Sequence, residues 1–470
     1  MNFQSMTNRF YPIALAITVA CTVSCAQTDE PFAQRVLLIS IDTLRADHLG
    51  SYDYVRDTSP NIDSLANSSW LFKSAYVPVP RTGPSVAGLL TGNFPQNIDE
   101  WSIPDHLETI AEVLSGLGWQ TIAAVDNANL SKSSGYAQGF DVYRETWTES
   151  DQEIERTHLI TQTAVDHLTT FAKTREPFFM WLHYVNPHLP YTPPPGFDET
   201  YMGDDHFDGD IRLPNTSGYV GGIRPDVYLE GEHRLAYYVA QYDGEVLFAD
   251  EEIGKVLELI KSDPALSDTR IILTADHGEG LGEQNVYFEH GPYVLDSHVR
   301  VPLIVHFPEE ASNPKEITHP VSTIDIAPTI YAWVGVELPN FSGNRAAFPL
   351  SGESLVPTED EQLANHRQNV FFASLDFWGV RSQDWKMILK TRDNTQLGQS
   401  HQLFNLVSDK EESTNLYDDE STQAAQLLRR LEARKQIQSN FSSDNMDPAN
   451  RYQRLDQEAL DNLRTLGYLR

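Results

Sequence analysis

The sequence predicts an α/β fold: a mostly parallel sheet covered by helices on both faces, followed by a small C-terminal antiparallel sheet. Three observations predict it. From about Arg35, short apolar runs alternate with amphipathic stretches, the pattern of strands joined by crossover helices. Two of these runs, Val36-Leu37-Leu38-Ile39-Ser40-Ile41 and Arg270-Ile271-Ile272-Leu273-Thr274-Ala275, are apolar along most of their length, as strands buried on both faces are. After about residue 336 the texture changes to short β-rich pieces separated by turn residues.

Taken in order, residues 1–25 read as an export signal. Arg9 supplies a thin positive region, and an apolar run over 11–21 is too short to span a bilayer comfortably. Val23-Ser24-Cys25-Ala26 is similar to a bacterial lipoprotein cleavage box with Cys25 as the lipid-anchored residue, although Thr22 stands where such boxes carry an aliphatic side chain. Plain secretion with cleavage near Ala26 is the alternative. Either way the protein is expected to be exported: periplasmic, held at the outer membrane, or secreted. Cys21 and Cys25 are the two cysteines of the chain, so the mature body has neither a disulfide nor a cysteine nucleophile.

Residues 33–335 form the expected catalytic domain. Further strands are predicted at 121–125, 177–185 and 301–307, and helices at 108–117, 235–261 and 323–334. Residues 191–233 are rich in Pro, Gly, Asp and Tyr without periodicity; such insertions either wall a site or form a plain surface loop. Residues 336–470 form the expected C-terminal subdomain, with strands at 369–374, 379–381, 386–390 and 403–406. A helix follows at about 419–437, and a short packed one at 460–469.

The 470 residues hold 34 basic and 67 acidic side chains, a net charge of −33, and 40% of the chain is hydrophobic. That is ample for a core. No basic patch is present, which excludes nucleic acid as a partner. A surface this acidic repels anions, so an anionic substrate needs local positive charge, most simply a metal ion.

Chemistry concentrates at three places. The apolar runs end in Asp42 and in Asp276-His277-Gly278-Glu279, and the carboxyl ends of strands are where α/β sheets bind ligands. Between them in sequence lies Arg81-Thr82-Gly83-Pro84-Ser85-Val86-Ala87-Gly88-Leu89-Leu90-Thr91-Gly92. Here a hydroxyl-bearing turn leads into a predicted helix that Ser85 is placed to cap. Together these make a metal-plus-nucleophile site. His188 and His290 are candidate proton donors or oxyanion partners. Asn127 or Asn129 could donate to a non-bridging oxygen, while His183, His298 and His306 read as core or surface histidines.

Over nearly all of the mature chain the sequence resembles the sulfatases of the alkaline-phosphatase superfamily. The resemblance is carried by Ile41-Asp42-Thr43-Leu44-Arg45-Ala46-Asp47, Pro84-Ser85 with Leu89-Leu90-Thr91-Gly92, Gly139-Phe140-Asp141 and Pro187-His188-Leu189-Pro190. It continues in Asp276-His277-Gly278-Glu279 with Gly282-Glu283, in Val299-Arg300-Val301-Pro302-Leu303 and in Glu411-Glu412-Ser413-Thr414-Asn415-Leu416. It implies an alkaline-phosphatase-like fold with a small C-terminal subdomain. It also implies one divalent ion held by Asp42, Thr82, Asp276 and His277. Carboxylates with an imidazole suit Mn²⁺, Mg²⁺ or Zn²⁺ better than Ca²⁺.

The departures from the family pattern are specific. Thr82 stands where sulfatases carry the Cys or Ser that matures to formylglycine, and Val86 replaces the motif's Arg. Thr43 replaces a second Asp, and His277 an Asn. The second sulfatase signature survives only as Gly118-Trp119-Gln120-Thr121, its Lys and His positions falling on Asp126 and Ala128. The remaining pattern resembles the threonine-dependent branch of the superfamily, the nucleotide phosphodiesterases and lipoteichoic-acid synthases, in which a metal-bound Thr attacks phosphorus. The expectation is an exported metal-dependent hydrolase of a sulfate or phosphate ester, acting through Thr82 on an anionic glycan or lipid headgroup. The alternatives are a phosphotransferase with an alcohol acceptor and an inactive glycan-binding homologue.

Overall fold

The computed structural model describes residues 33–95, 101–203, 229, 232–336, 352–356, 368–392 and 398–441. The export signal with Cys25, most of the 191–233 insertion and the 460–469 helix lie outside the described residues. Eight strands form the main sheet in the order Lys315–Ile317, Trp70–Phe72, Leu303–His306, Arg270–Ala275, Arg35–Ile41, Phe178–Tyr184, Gln120–Val125 and Val142–Glu145. Leu303–His306 runs antiparallel to both neighbours, and the other pairings are parallel. The predicted strands at 121–125, 177–185 and 301–307 are all present, shortened or extended by a residue or two at their ends.

The central strand Arg35–Ile41 is buried at every position, and so is its neighbour Phe178–Tyr184. Two helical layers account for this. Leu235–Ser262 packs with both Glu153–Thr174 and Pro60–Ala66, and Thr82–Thr91, Ile110–Gly116 and Ile326–Trp333 pack with one another. The predicted 323–334 helix is divided: Thr323–Asp325 is a 3₁₀ turn, with Ile326–Trp333 as the α-helix. Glu153–Thr174 was not predicted. Its buried face includes Arg156, Thr157, Thr161 and Thr163 beside Ile160, Ala164, Leu168 and Phe171, so its apolar stripe is too thin to stand out as a period.

Val370–Ala373, Phe377–Ser382, Trp385–Lys390 and His401–Asn405 form the C-terminal antiparallel meander. Strand alternation gives it two apolar faces. Phe372, Phe377, Ile388 and Phe404 join the main core, whereas Trp378, Val380, Met387 and Leu403 pack with Ala424, Leu427 and Leu431 of the helix Ser421–Phe441. Gly379 is required because Phe372 faces it across the ladder: a Cβ there would lie 1.9 Å from the ring. Among the described residues no helix is long and apolar enough to cross a membrane.

Candidate active site

Strand register brings the site together. Ser40 pairs with Thr274 on one side and with His183 on the other. The backbone then continues Asp42 N–H to Tyr184 O at 2.9 Å and Asp276 N–H to Ile41 O at 3.4 Å. Asp42, His183 and Asp276 therefore share one edge of the sheet, at the carboxyl ends of its central strands. Thr43 follows Asp42 with φ of 55°, a left-handed conformation that a β-branched residue adopts only under constraint. The constraint is visible. Its N–H donates to Asp276 Oδ1 at 3.2 Å, and its carbonyl accepts from Tyr242 Oη at 2.8 Å.

Asp42, His183 and Asp276 are buried, and their ligand atoms lie within 4.8 Å of one another. Among the described residues Asp42 Oδ1, His183 Nε2 and Asp276 Oδ2 have no hydrogen-bond partner, although all three are shielded from water. His277 Nε2 lies 3.7 Å from Asp42 Oδ1 and 3.5 Å from Asp276 Oδ2. Its Nδ1 lies 2.9 Å from Gly278 O. A carbonyl can only accept, so Nδ1 carries a proton and Nε2 is the ring atom turned toward the carboxylates. Gly278 is needed for this turn, since a Cβ there would lie 2.0 Å from Ser297 O.

Two carboxylates facing each other in a dry site repel. Burial, and then the charge of Asp42, push the Asp276 carboxyl up to about 6. Burial would raise Asp42 as well, but His188, His183 and His277 hold it well below the usual carboxylate range. A divalent cation would relieve the repulsion and take up all three orphaned donor atoms, so these residues fit one ion bound by oxygen and imidazole.

Thr82 is the first residue of the helix Thr82–Thr91, which ends at Gly92 with φ of 69°. Its Oγ1 lies 3.3 Å from His277 Nε2, so it joins the site from the opposite element. Ser85 does not cap this helix. The helix begins three residues earlier, because Pro84 falls in the first turn, where a missing N–H costs nothing. Ser85 Oγ instead donates to Asp276 O at 2.5 Å and ties the helix to the strand end. Asn127 is at the site, where Nδ2 donates to Asp42 Oδ2 at 2.6 Å and Oδ1 accepts from Asn129 N at 2.9 Å. Its amide thus orients a carboxylate.

His188 and His290 both reach this cluster. Their ring centroids are 5.2 Å apart, and His290 lies 4.4 Å from His277. His290 Nδ1 is 3.4 Å from Glu279, which is fully buried. Burial outweighs the nearby charge of Asp42 and pulls His188 down to about 4. The ring is therefore neutral at neutral pH, with Nδ1–H donating to Leu189 O at 2.8 Å. Asp126, at one of the lost sulfatase positions, is bonded to Arg156 at 2.8 Å within the core. His298 is buried and His306 half-buried.

His183 is the residue that the sequence left outside the site. Trp181 Nε1 donates to Ser40 Oγ at 2.9 Å, and Ser40 Oγ lies 2.8 Å from His183 Nδ1. Its Nε2 is 3.6 Å from Asp42 Oδ2. A polar residue near the carboxyl end of the apolar strand Phe178–Tyr184 was the available signal.

Comparison with known proteins shows the family. The sulfatase family model matches residues 34–336, and that of the N-sulphoglucosamine sulphohydrolase C-terminal region matches 282–439. The uncharacterised sulfatase YidJ of Escherichia coli K12 is 26% identical over 434 residues, covering 82% of this chain and 83% of that protein. The structure of BT4656 with its substrate D-glucosamine-2-N,6-O-disulfate superposes with a TM-score of 0.69 at 19% identity, covering 88% of this chain and 100% of that one. The phosphonate monoester hydrolase of Agrobacterium radiobacter superposes with a TM-score of 0.68 at 18% identity, covering 87% and 96%. The family match takes in both strand-end acids, the helix that carries Thr82 and the histidines around them: this chain belongs to the sulfatase family, an ester hydrolase of the alkaline-phosphatase-like superfamily.

Proposed function

We propose that this protein hydrolyses a singly charged ester, a phosphodiester in preference to a sulfate monoester, with Thr82 Oγ1 as the attacking atom. The observation that carries this reading is the placement of an unmodifiable hydroxyl 3.3 Å from His277 Nε2, beside three buried donor atoms that bond to nothing else among the described residues. Asp42, Asp276 and His277, with His183 completing the set, would hold one divalent ion, which would neutralise charge and lower the pKa of a neighbouring hydroxyl.

The remaining steps belong to the chain's own groups. Ser85 Oγ, bonded to Asp276 O, ties the helix to the strand end and so holds the Thr82 hydroxyl beside His277. As the Thr82 Oγ–P bond forms, the hydroxyl proton passes to solvent and returns when Thr82 is displaced; the bond to the leaving oxygen breaks, and His290, oriented by Glu279 and reprotonated from solvent after each turnover, delivers a proton to that oxygen. His188, neutral with Nε2 as acceptor, takes a proton from the water that then displaces Thr82 from phosphorus. The products are one alcohol and one phosphate monoester, and Thr82 is restored. Sulfate transfer to Thr82 would leave a sulfo-threonine without the elimination route that formylglycine gives sulfatases.

A sulfate ester is the second reading, favoured by the family match. The substrate of BT4656 makes a sulfated amino sugar the first glycan to try. The export signal expected at residues 1–25 places either reaction outside the cytoplasm. Trapping with a slow substrate tests the shared mechanism: mass spectrometry should place the adduct on the peptide that contains Thr82, and an adduct elsewhere rejects it.

A further inference from the structure

A second cleft lies where the C-terminal sheet meets the main domain. Its volume is about 390 Å³, and its lining includes Arg381, Arg300, Lys73, Lys410, Ser74 and Tyr76 together with several acids. Arg381 belongs to the strand Phe377–Ser382, on the face that carries Phe377. It is 8% exposed, and its Nε and Nη1 are buried without a hydrogen-bond partner among the described residues.

The acids of the cleft are engaged elsewhere. Arg45 pairs with Asp47 and Glu283, each at 2.7 Å. The fully buried Lys386 pairs with Asp296 and Glu412, each at 2.8 Å. The second oxygen of Asp296 accepts from Tyr76 Oη at 3.1 Å, and Lys73 is 3.3 Å from Asp53. Glu411 is exposed at the mouth. Arg300 donates its Nε to Lys73 O at 3.0 Å and forms no ion pair among the described residues. Among the described residues neither guanidinium lies within ion-pair distance of a carboxylate, although the charge of Asp296 acts on both. This happens in a chain where acids outnumber bases by 67 to 34. A buried guanidinium is normally paired, because leaving its donors unmet forfeits their hydration.

We infer that this cleft is a second anion site, in which Arg381 and Arg300 hold the oxygens of one small oxyanion group. The planar guanidinium presents two parallel donors to a sulfate, phosphate or carboxylate. A free inorganic anion and the acidic group of a sugar offer the same oxygens. The lining shares no residue with the Asp42–His183–Asp276 cluster, and the inference does not depend on which ester is cleaved there.

Soaking wild-type crystals in selenate and locating selenium by anomalous scattering is the first test. A peak within hydrogen-bond distance of the Arg381 guanidinium is expected, and a cleft without one overturns the inference. The second is calorimetric titration at matched ionic strength with sulfate and, separately, glucuronate, in an Asp276→Asn background that weakens binding at the active site. Adding Arg381→Met should weaken the binding of the better ligand at least tenfold, while Arg381→Lys should retain part of it. Tighter sulfate binding assigns an inorganic anion, and tighter glucuronate binding an acidic sugar. Affinities unchanged by Arg381→Met overturn the inference; should that variant fail to fold, the wild-type selenate map decides.

Discussion

Thr82 Oγ1 lies 3.3 Å from His277 Nε2, joining the first turn of a helix to the end of a central strand. The two residues are 195 positions apart in sequence. Their contact fixes which hydroxyl faces the buried carboxylates, and the account of catalysis rests on it.

Thr82→Ala should lower turnover to the level of uncatalysed background while leaving the thermal transition cooperative, since only a methyl and a hydroxyl are lost. Thr82→Cys should stay inactive and unconverted, because Val86 occupies the place of the Arg in the maturation motif. Intact-mass measurement and initial rates check both. Full activity in the alanine variant would remove Thr82 from the mechanism.

Asp276→Asn and His277→Ala should each reduce kcat/KM by more than about 100-fold, with folding retained. Asp276→Asn also removes the carboxyl that burial and Asp42 push up to about 6, so the unfolding temperature of the metal-free protein should hold or rise. Metal content by elemental analysis should fall in step with activity. Undiminished activity after chelation would contradict the assignment of the metal.

The strand ends carrying Asp42 and Asp276 were legible because a long apolar run that stops at an acid marks a buried strand and its exit. Thr82 was legible as a hydroxyl ahead of a helix, although the helix start was misplaced: Pro84 reads as a boundary when it lies inside the first turn. His183 was not legible. Strand pairing brings it beside Ser40 and Asp42, and no local pattern records which strand lies next to which. The polar face of Glu153–Thr174 was hidden for a related reason. Arg156 and Thr157 are buried by their partners, Asp126 and Asn186, and those partners come from other segments.

Ser40→Ala tests His183 through a residue that touches no substrate. It removes the oxygen 2.8 Å from His183 Nδ1 and frees the imidazole to rotate. Loss of such a supporting contact should weaken metal affinity by about 10- to 100-fold, and excess metal should restore most of the activity. An unchanged metal titration would return His183 to a structural role.

Glu245 is buried beside the loop that carries His188. It accepts from Asn186 Nδ2 and, at 2.8 Å, from Thr192 N. Burial pushes its carboxyl up to about 8 despite those bonds, and it also raises Glu153 nearby. Since the folded pKa exceeds the unfolded one, this stability is fully present below the unfolded value and is lost as pH rises through about 8. The slope is at most about 1.4 kcal/mol per pH unit for one proton. Glu245→Gln should therefore gain on the wild type between roughly pH 5 and 8, the range set by the unfolded and folded values. Thermal unfolding of both proteins across that range checks it, and a constant difference would contradict it.

The central claim is that a threonine hydroxyl at this site cleaves a singly charged ester and favours phosphorus. Initial rates on the nitrophenyl phosphodiester, phosphate monoester and sulfate, measured side by side in the same metal buffer, test it most directly. The account predicts that the diester is cleaved faster than the sulfate by at least about tenfold, a barrier difference near 1.4 kcal/mol, with the dianionic monoester also slower. A sulfate rate above the diester rate would contradict it.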